Sequence, residues 1–233
     1  MKVLLLLLLF PALALASSDK IFDDYETYYA SLPNRMFQGE AIKLSTFFLE
    51  GTRALTYRWE GLVDGHKHTI LVRQGDDSDE LFVDNHSFKS KQVKVVPGEE
   101  DSASIQLTGQ AFDPVVYFAS GWACLQWPEP MFARKFSLVY LVQLPKTSKK
   151  VKQRAPIWLL PGRFTSCAGI RMKSGQIKFD RIEFRSLKGH DGAVGVSFSE
   201  YTIKGGKFMR TNRPRRNATF VEPDDVYQFK FDK

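Results

Sequence analysis

Leu55, Tyr57 and Trp59 alternate with Thr56, Arg58 and Glu60, and Asp64-Gly65 follows a few residues later. An apolar residue at every second position makes one dry face and one wet face only in an extended strand, where successive side chains point to opposite sides. Asp-Gly is a favoured pair for a two-residue hairpin turn with positive φ at both positions. Counting back through that turn sets Trp59 opposite Ile70, Tyr57 opposite Val72 and Gly61 opposite His68. In this register the apolar positions of both runs share one face, and a slip of one residue would expose them all. The chain is therefore expected to hold a hairpin with a buried aromatic side.

The same period recurs. Ile42, Leu44, Thr46 and Phe48 alternate with Lys43 and Ser45. Further strands are expected over 81–84, 92–96, 103–108, 115–119, 136–144, 177–185, 194–203 and 226–231, most of them bounded by Gly, Pro, Asn or Asp. Nineteen Phe, within 13% aromatic residues, suit such strands and a large apolar core. About a dozen short strands without sustained helical periodicity predict an all-β chain, a β-sandwich or jelly-roll-like fold. One run breaks the alternation. Ile177 and Phe179 are odd-numbered, Ile182 and Phe184 even-numbered, and a bulge at Asp180-Arg181 would reconcile them. Ahead of the strands, Phe22, Tyr25, Tyr29 and Leu32 stand at helical spacing, with Asp23 and Asp24 where a helix dipole favours them. They predict a short N-terminal helix ended by Pro33, or else an N-terminal arm.

Met1-Lys2, an apolar run from Val3 to Phe10, Pro11 and then Ala14-Leu15-Ala16 follow the grammar of a secretory signal peptide. The run is too short to cross a bilayer, which takes ~20 residues. The expected organisation is a signal peptide over 1–16, an arm or short helix over 17–34, and a single β-sandwich domain over 35–233. A chain so exported works in an oxidising, extracellular setting, where Cys124 and Cys167, the only two cysteines, are expected to pair. Asn85-His86-Ser87 and Asn217-Ala218-Thr219 are legal N-glycosylation acceptors, and Asn217 lies in the more polar surroundings.

Thirty-three basic residues against 26 acidic ones give a net charge of +7. That is a mild excess, unlike that of a dedicated nucleic-acid binder, and it points to acidic glycans or an extracellular protein partner without stable membrane insertion. Two basic groups are candidates for a polyanion site. One is Lys146, Lys149, Lys150, Lys152 and Arg154; the other is Lys204, Lys207, Arg210, Arg213, Arg215 and Arg216. Clustered Lys and Arg hold sulfate and carboxylate groups, with Arg adding bidentate contacts. Their plainer role is solubility. Arg213-Pro214-Arg215-Arg216 also resembles a cleavage site for basic-directed proteases.

Enzymatic motifs are scarce. The chain carries no phosphate-cradling glycine loop, no nucleophile elbow and no His-Glu-x-x-His helix. His66 and His68 share a strand face, but a metal takes three or four ligands and only His86 and His190 remain. No metal and no cofactor are expected. Asp180 and Glu183, three residues apart on a strand, should face opposite ways and so cannot serve as a paired acid and base. Trp122 and Trp127 flank Cys124. Trp122 is assigned to the core and Trp127, ahead of Pro128, to the surface. The pattern resembles jelly-roll lectin-like and carbohydrate-binding modules in outline, with no signature motif beyond that. The reading is a secreted non-enzymatic binding protein that engages acidic glycans or a protein partner through basic loops. The alternatives are a jelly-roll enzyme acting on a polysaccharide and a carrier of a small lipophile.

Overall fold

The computed structural model describes residues 20–48, 55–74, 79–88, 92–97, 114–128, 137–145, 157–189, 192–223 and 225–233. The expected signal peptide, the strand over 103–108 and the basic run of Lys146, Lys149, Lys150, Lys152 and Arg154 lie outside those residues. The fold is all-β and sandwich-like. It opens with a two-residue strand β1 (Ile21–Phe22) and the single α-helix among the described residues, α1 (Tyr25–Ala30).

The first sheet is an antiparallel meander of β2 (Ser45–Phe48), β3 (Leu55–Val63), β4 (His66–Arg73), β5 (Glu80–Val83) and β6 (His86–Phe88). The β3–β4 hairpin has the register read from the sequence, with Trp59 opposite Ile70 and Tyr57 opposite Val72. Asp64 and Gly65 form its turn at φ 49° and 77°. The second sheet runs β7-β11-β10-β9-β8, from β7 (Val93–Lys94), β8 (Val115–Ala119), β9 (Trp122–Pro128), β10 (Ser137–Gln143) and β11 (Ile157–Leu159). The third contains β12 (Arg171–Lys173), β13 (Gln176–Arg185), β14 (Gly195–Lys204), β15 (Lys207–Arg210), β16 (Arg216–Phe220) and β17 (Phe229–Phe231). Its order is β1-β17-β16-β14-β13-β12, with β15 beside β14.

The second sheet is the middle layer. Leu125, Trp127, Tyr140 and Val142 pack against Trp59, Ile70 and Leu81 of the first sheet. Cys124, Val139, Leu141 and Trp158 pack the other way, against Ile177, Phe179 and Phe208 of the third. Burial on both faces explains the unbroken apolar run Leu138 to Val142, which shows no alternation because neither face is wet. It also corrects the two tryptophans: Trp127 is fully buried, its ring 5.6 Å from that of Trp59, whereas Trp122 is only half-buried.

The third sheet carries α1 on its far face. Asp24 caps the helix, accepting from the Thr27 amide at 2.6 Å, and Ser31 closes it. The helix is shorter than 22–32, because Phe22 pairs with Phe229 as part of β1. Tyr25, Tyr28 and Tyr29 are buried against Ile182, Val196, Phe198 and Phe229. The expected bulge at Asp180-Arg181 is absent: β13 pairs with β14 without interruption from Lys178–Thr202 to Arg185–Gly195. The apolar positions change parity for another reason. Ile177 and Phe179 face the second sheet, while Ile182 and Phe184 face the helix, so one regular strand is buried on opposite sides at its two ends. Asp180 points to the helix side and is buried there.

Candidate anion-binding cleft

β12 and β13 are joined at Ser174-Gly175, both at positive φ (50° and 72°), the geometry of a two-residue hairpin turn. Pairing sets Arg171 beside Lys178, and β13 against β14 sets Lys178 beside Thr202 and Asp180 beside Glu200. Directly paired residues share a sheet face, so Arg171, Lys173, Lys178, Asp180, Glu200 and Thr202 all point to the helix side. At the Ile182 end that face is covered by α1. At the Lys178 end it opens as a cleft of about 560 Å³. The chain after the helix adds Pro33 and Asn34 to its wall, and the segment after β15 adds Thr211, Asn212 and Arg213.

Glu200 is the floor. Its side chain is 7% exposed, and it meets Lys178 at 3.2 Å, Arg213 at 3.3 Å and Arg171 at 3.5 Å. The Thr211 hydroxyl donates to it at 3.2 Å. Burial alone would raise its pKa, but Lys178, Arg171 and Thr211 outweigh burial and hold the carboxyl below the usual range. Behind it, Asp180 accepts from Arg171 at 3.1 Å and from the Tyr28 hydroxyl at 2.9 Å, and pairs with Arg216 at 3.4 Å. Burial, followed by the Asp180 charge, pushes the Tyr28 phenol well above its ordinary pKa, so Tyr28 is a neutral donor. Five cations, Arg171, Lys173, Lys178, Arg213 and Arg216, thus stand around the two carboxylates Asp180 and Glu200, with Arg171 shared between them. Lys173 is exposed and makes no ion pair among the described residues. Lys178 uses one of its three donors on Glu200, and Arg213, 47% exposed, keeps part of its fork free.

The structure divides the second basic group. Lys204 and Lys207 face each other across the Gly205-Gly206 turn, on the sheet face of Glu200 and Thr202, and both are exposed. Arg213 lines the cleft. Arg210 pairs with Tyr201 and Arg215 reaches Ser199 at 3.2 Å and Glu183 at 3.4 Å, all on the opposite face. Arg216 turns inward, its guanidinium 4.7 Å from the Phe231 ring centre. It opens β16, so the protease-like stretch runs into a paired strand. Asn217 lies within that strand, exposed but with its carboxamide oxygen accepting from Ser197 at 2.8 Å. Asn85 sits exposed at the tip of the β5–β6 hairpin, at φ 65°. Asp180 and Glu183 occupy opposite faces of β13, with Glu183 paired to Arg181 and Arg215.

The described histidines, His66, His68 and His86, are not among the residues lining the cleft. His68 Nδ1 is 2.7 Å from Asp84 Oδ2, and His66 Nδ1 is 3.0 Å from the Asp64 carbonyl. The room that Gly61 leaves opposite His68 is filled by Phe118 and Ile42. No group of three or more His, Cys, Asp or Glu among the described residues is placed to hold a metal. Among those residues no helix is long and apolar enough to cross a membrane, and Cys124 and Cys167 form a disulfide.

Sequence reasoning missed Arg171, Lys173, Lys178 and Glu200. A signal was available in the Ser174-Gly175 turn between two short alternating runs, which folds the cations of both arms onto one face. Comparison with protein-family models, with curated proteins and with solved structures finds no match to this chain. Its function is therefore argued from the cleft.

Proposed function

We propose that the protein is a secreted, non-enzymatic binding protein that captures acidic glycans through this cleft, with Lys204 and Lys207 extending the basic strip along the same sheet face. The observation that carries the reading is the charge imbalance around Glu200: Arg171, Lys173, Lys178 and Arg213 line one opening with a single carboxylate. Partly desolvated cations attract an anion more strongly than the same cations spread over an open surface. Secretion is supported by the signal-like residues 1–16 and by the disulfide, since such bonds persist in oxidising compartments.

The test is binding of a heparin-class sulfated glycan at two salt concentrations. Affinity should fall steeply with salt, because exposed charges are screened within ~8 Å at physiological ionic strength. Lys173→Ser with Arg213→Ser should weaken binding at least tenfold while shifting the melting temperature little, as partly exposed charges contribute little to stability. Arg210→Ser with Arg215→Ser, on the far face, should leave binding unchanged. The run at 146–154 is tested separately by Lys149, Lys150 and Lys152→Ser. Binding that ignores salt and the cleft variants alike overturns the proposal.

A further inference from the structure

A binder of charge density alone needs only cations on an accessible face. Here the cations line a cleft together with groups that do nothing for charge. Asn34 and Asn212 line the same cleft, and neither carboxamide makes a hydrogen bond within the described residues. Pro33 adds an apolar ring to the wall. A carboxamide both donates and accepts, which is what a sugar hydroxyl requires of a partner. Lys173 and Arg213 keep free donors for an anionic group, and the Arg fork suits a carboxylate. Glu200 already engages four partners and is not open to a ligand hydroxyl. The volume of about 560 Å³ falls within the range of sites that enclose a small molecule.

We infer that the cleft reads one acidic sugar residue, its carboxylate held by Lys173 and Arg213, its hydroxyls by Asn34 and Asn212, and an apolar face of its ring against Pro33. This rests on the anion-binding reading and adds a selectivity that charge does not supply: a uronate is preferred to a bare anion and to a neutral sugar.

Three probes separate the two claims, each titrated into the full secreted chain by NMR at one ionic strength: D-glucuronate, inorganic sulfate and D-glucose. Glucuronate is expected to bind about tenfold more tightly than sulfate, the effect of one or two additional net hydrogen bonds, and glucose not measurably. Asn34 sits at φ 59°, so Asn34→Gly removes its carboxamide without strain. Asn34→Gly with Asn212→Ala should bring glucuronate down to the affinity of sulfate and leave sulfate unchanged. Asn212→Ala alone, at an exposed bend, should give part of that loss and guards against misfolding of the pair. Equal affinity for glucuronate and sulfate, with no effect of either variant, overturns the sugar selectivity and leaves the anion site standing. Failure of both anions to bind, or of Lys173→Ser with Arg213→Ser to weaken them, overturns the anion site and this inference with it.

Discussion

Asp180 and Glu200 are neighbours across β13 and β14, yet they anchor different things. Asp180 ties the helix to the sheet through the Tyr28 hydroxyl, Arg171 and Arg216. Asp180→Asn should cost roughly 3–5 kcal/mol in urea unfolding, because it removes a buried carboxylate from beside the buried Arg171 and the partly buried Arg216. Tyr28→Phe should cost roughly 1.5–3 kcal/mol, chiefly for the charge-assisted hydrogen bond its hydroxyl donates to Asp180, with the one it accepts from Arg216 lost as well. The reverse order would mean that the cluster is not held by charge. Glu200 carries a pH dependence. Its folded carboxyl titrates below its ordinary value of 4.5, so the stability it contributes is fully present above that pH and is lost as pH falls through the lower folded value. Glu200→Gln should lower the melting temperature at neutral pH and shrink the gap between the melting temperatures at neutral pH and at pH ~3. A variant with the wild-type gap would show that other groups set the acid sensitivity. None of this was legible residue by residue. Arg171, Lys178, Asp180 and Glu200 read singly as the solvated positions of alternating strands, and only the register of three strands shows that they meet.

Among the elements, the β3–β4 hairpin was the most legible, because the turn chemistry of Asp64-Gly65 and the alternation on both arms demand the same register. Trp59 is fully buried there, between Tyr57 and Trp127. Trp59→Ala should cost roughly 3–5 kcal/mol, as for other buried aromatics, and a near-neutral result in chemical denaturation would contradict the packing. The strand β13 was legible as a strand and misread in detail. Alternation reports which face is dry, and a bulge is needed only if that face is the same throughout. A regular strand that passes from beneath one layer to beneath another yields the same break in parity as a bulge. What distinguishes them is the partner strand, and the β14 pairing runs straight through. The segment Trp122–Pro128 escaped for the opposite reason. As an inner strand of the middle sheet, between β8 and β10, it is covered on both sides, so it shows no period at all, and Trp127 before a proline resembles a surface residue.

For the whole molecule, the three sheets and the helix make successive layers whose cores are separate clusters, and the layer order follows the chain: first sheet, second sheet, third sheet with the N-terminal helix returning to its outer side. The all-β class and the sandwich character were readable from period and turn spacing, whereas the stacking was not, since nothing local says which dry faces meet. The disulfide crosses one of these boundaries, joining β9 of the middle sheet to the turn at Cys167–Gly169 beside the third, over a sequence separation of 43. In the chain-entropy picture a closed loop of that size is worth about 4 kcal/mol. It also makes the connection between the middle and last sheets redundant. The basic run from Lys146 to Arg154 lies inside the closed loop, and so does any bond a trypsin-like protease would cut there. A single nick in that run should leave the mass of the protein on a non-reducing gel unchanged and split it into two fragments only after a thiol is added. Two fragments without reductant would mean that the sulfurs are not joined. Tissue proteases could thus open this segment while the two halves of the molecule stay in one covalent piece.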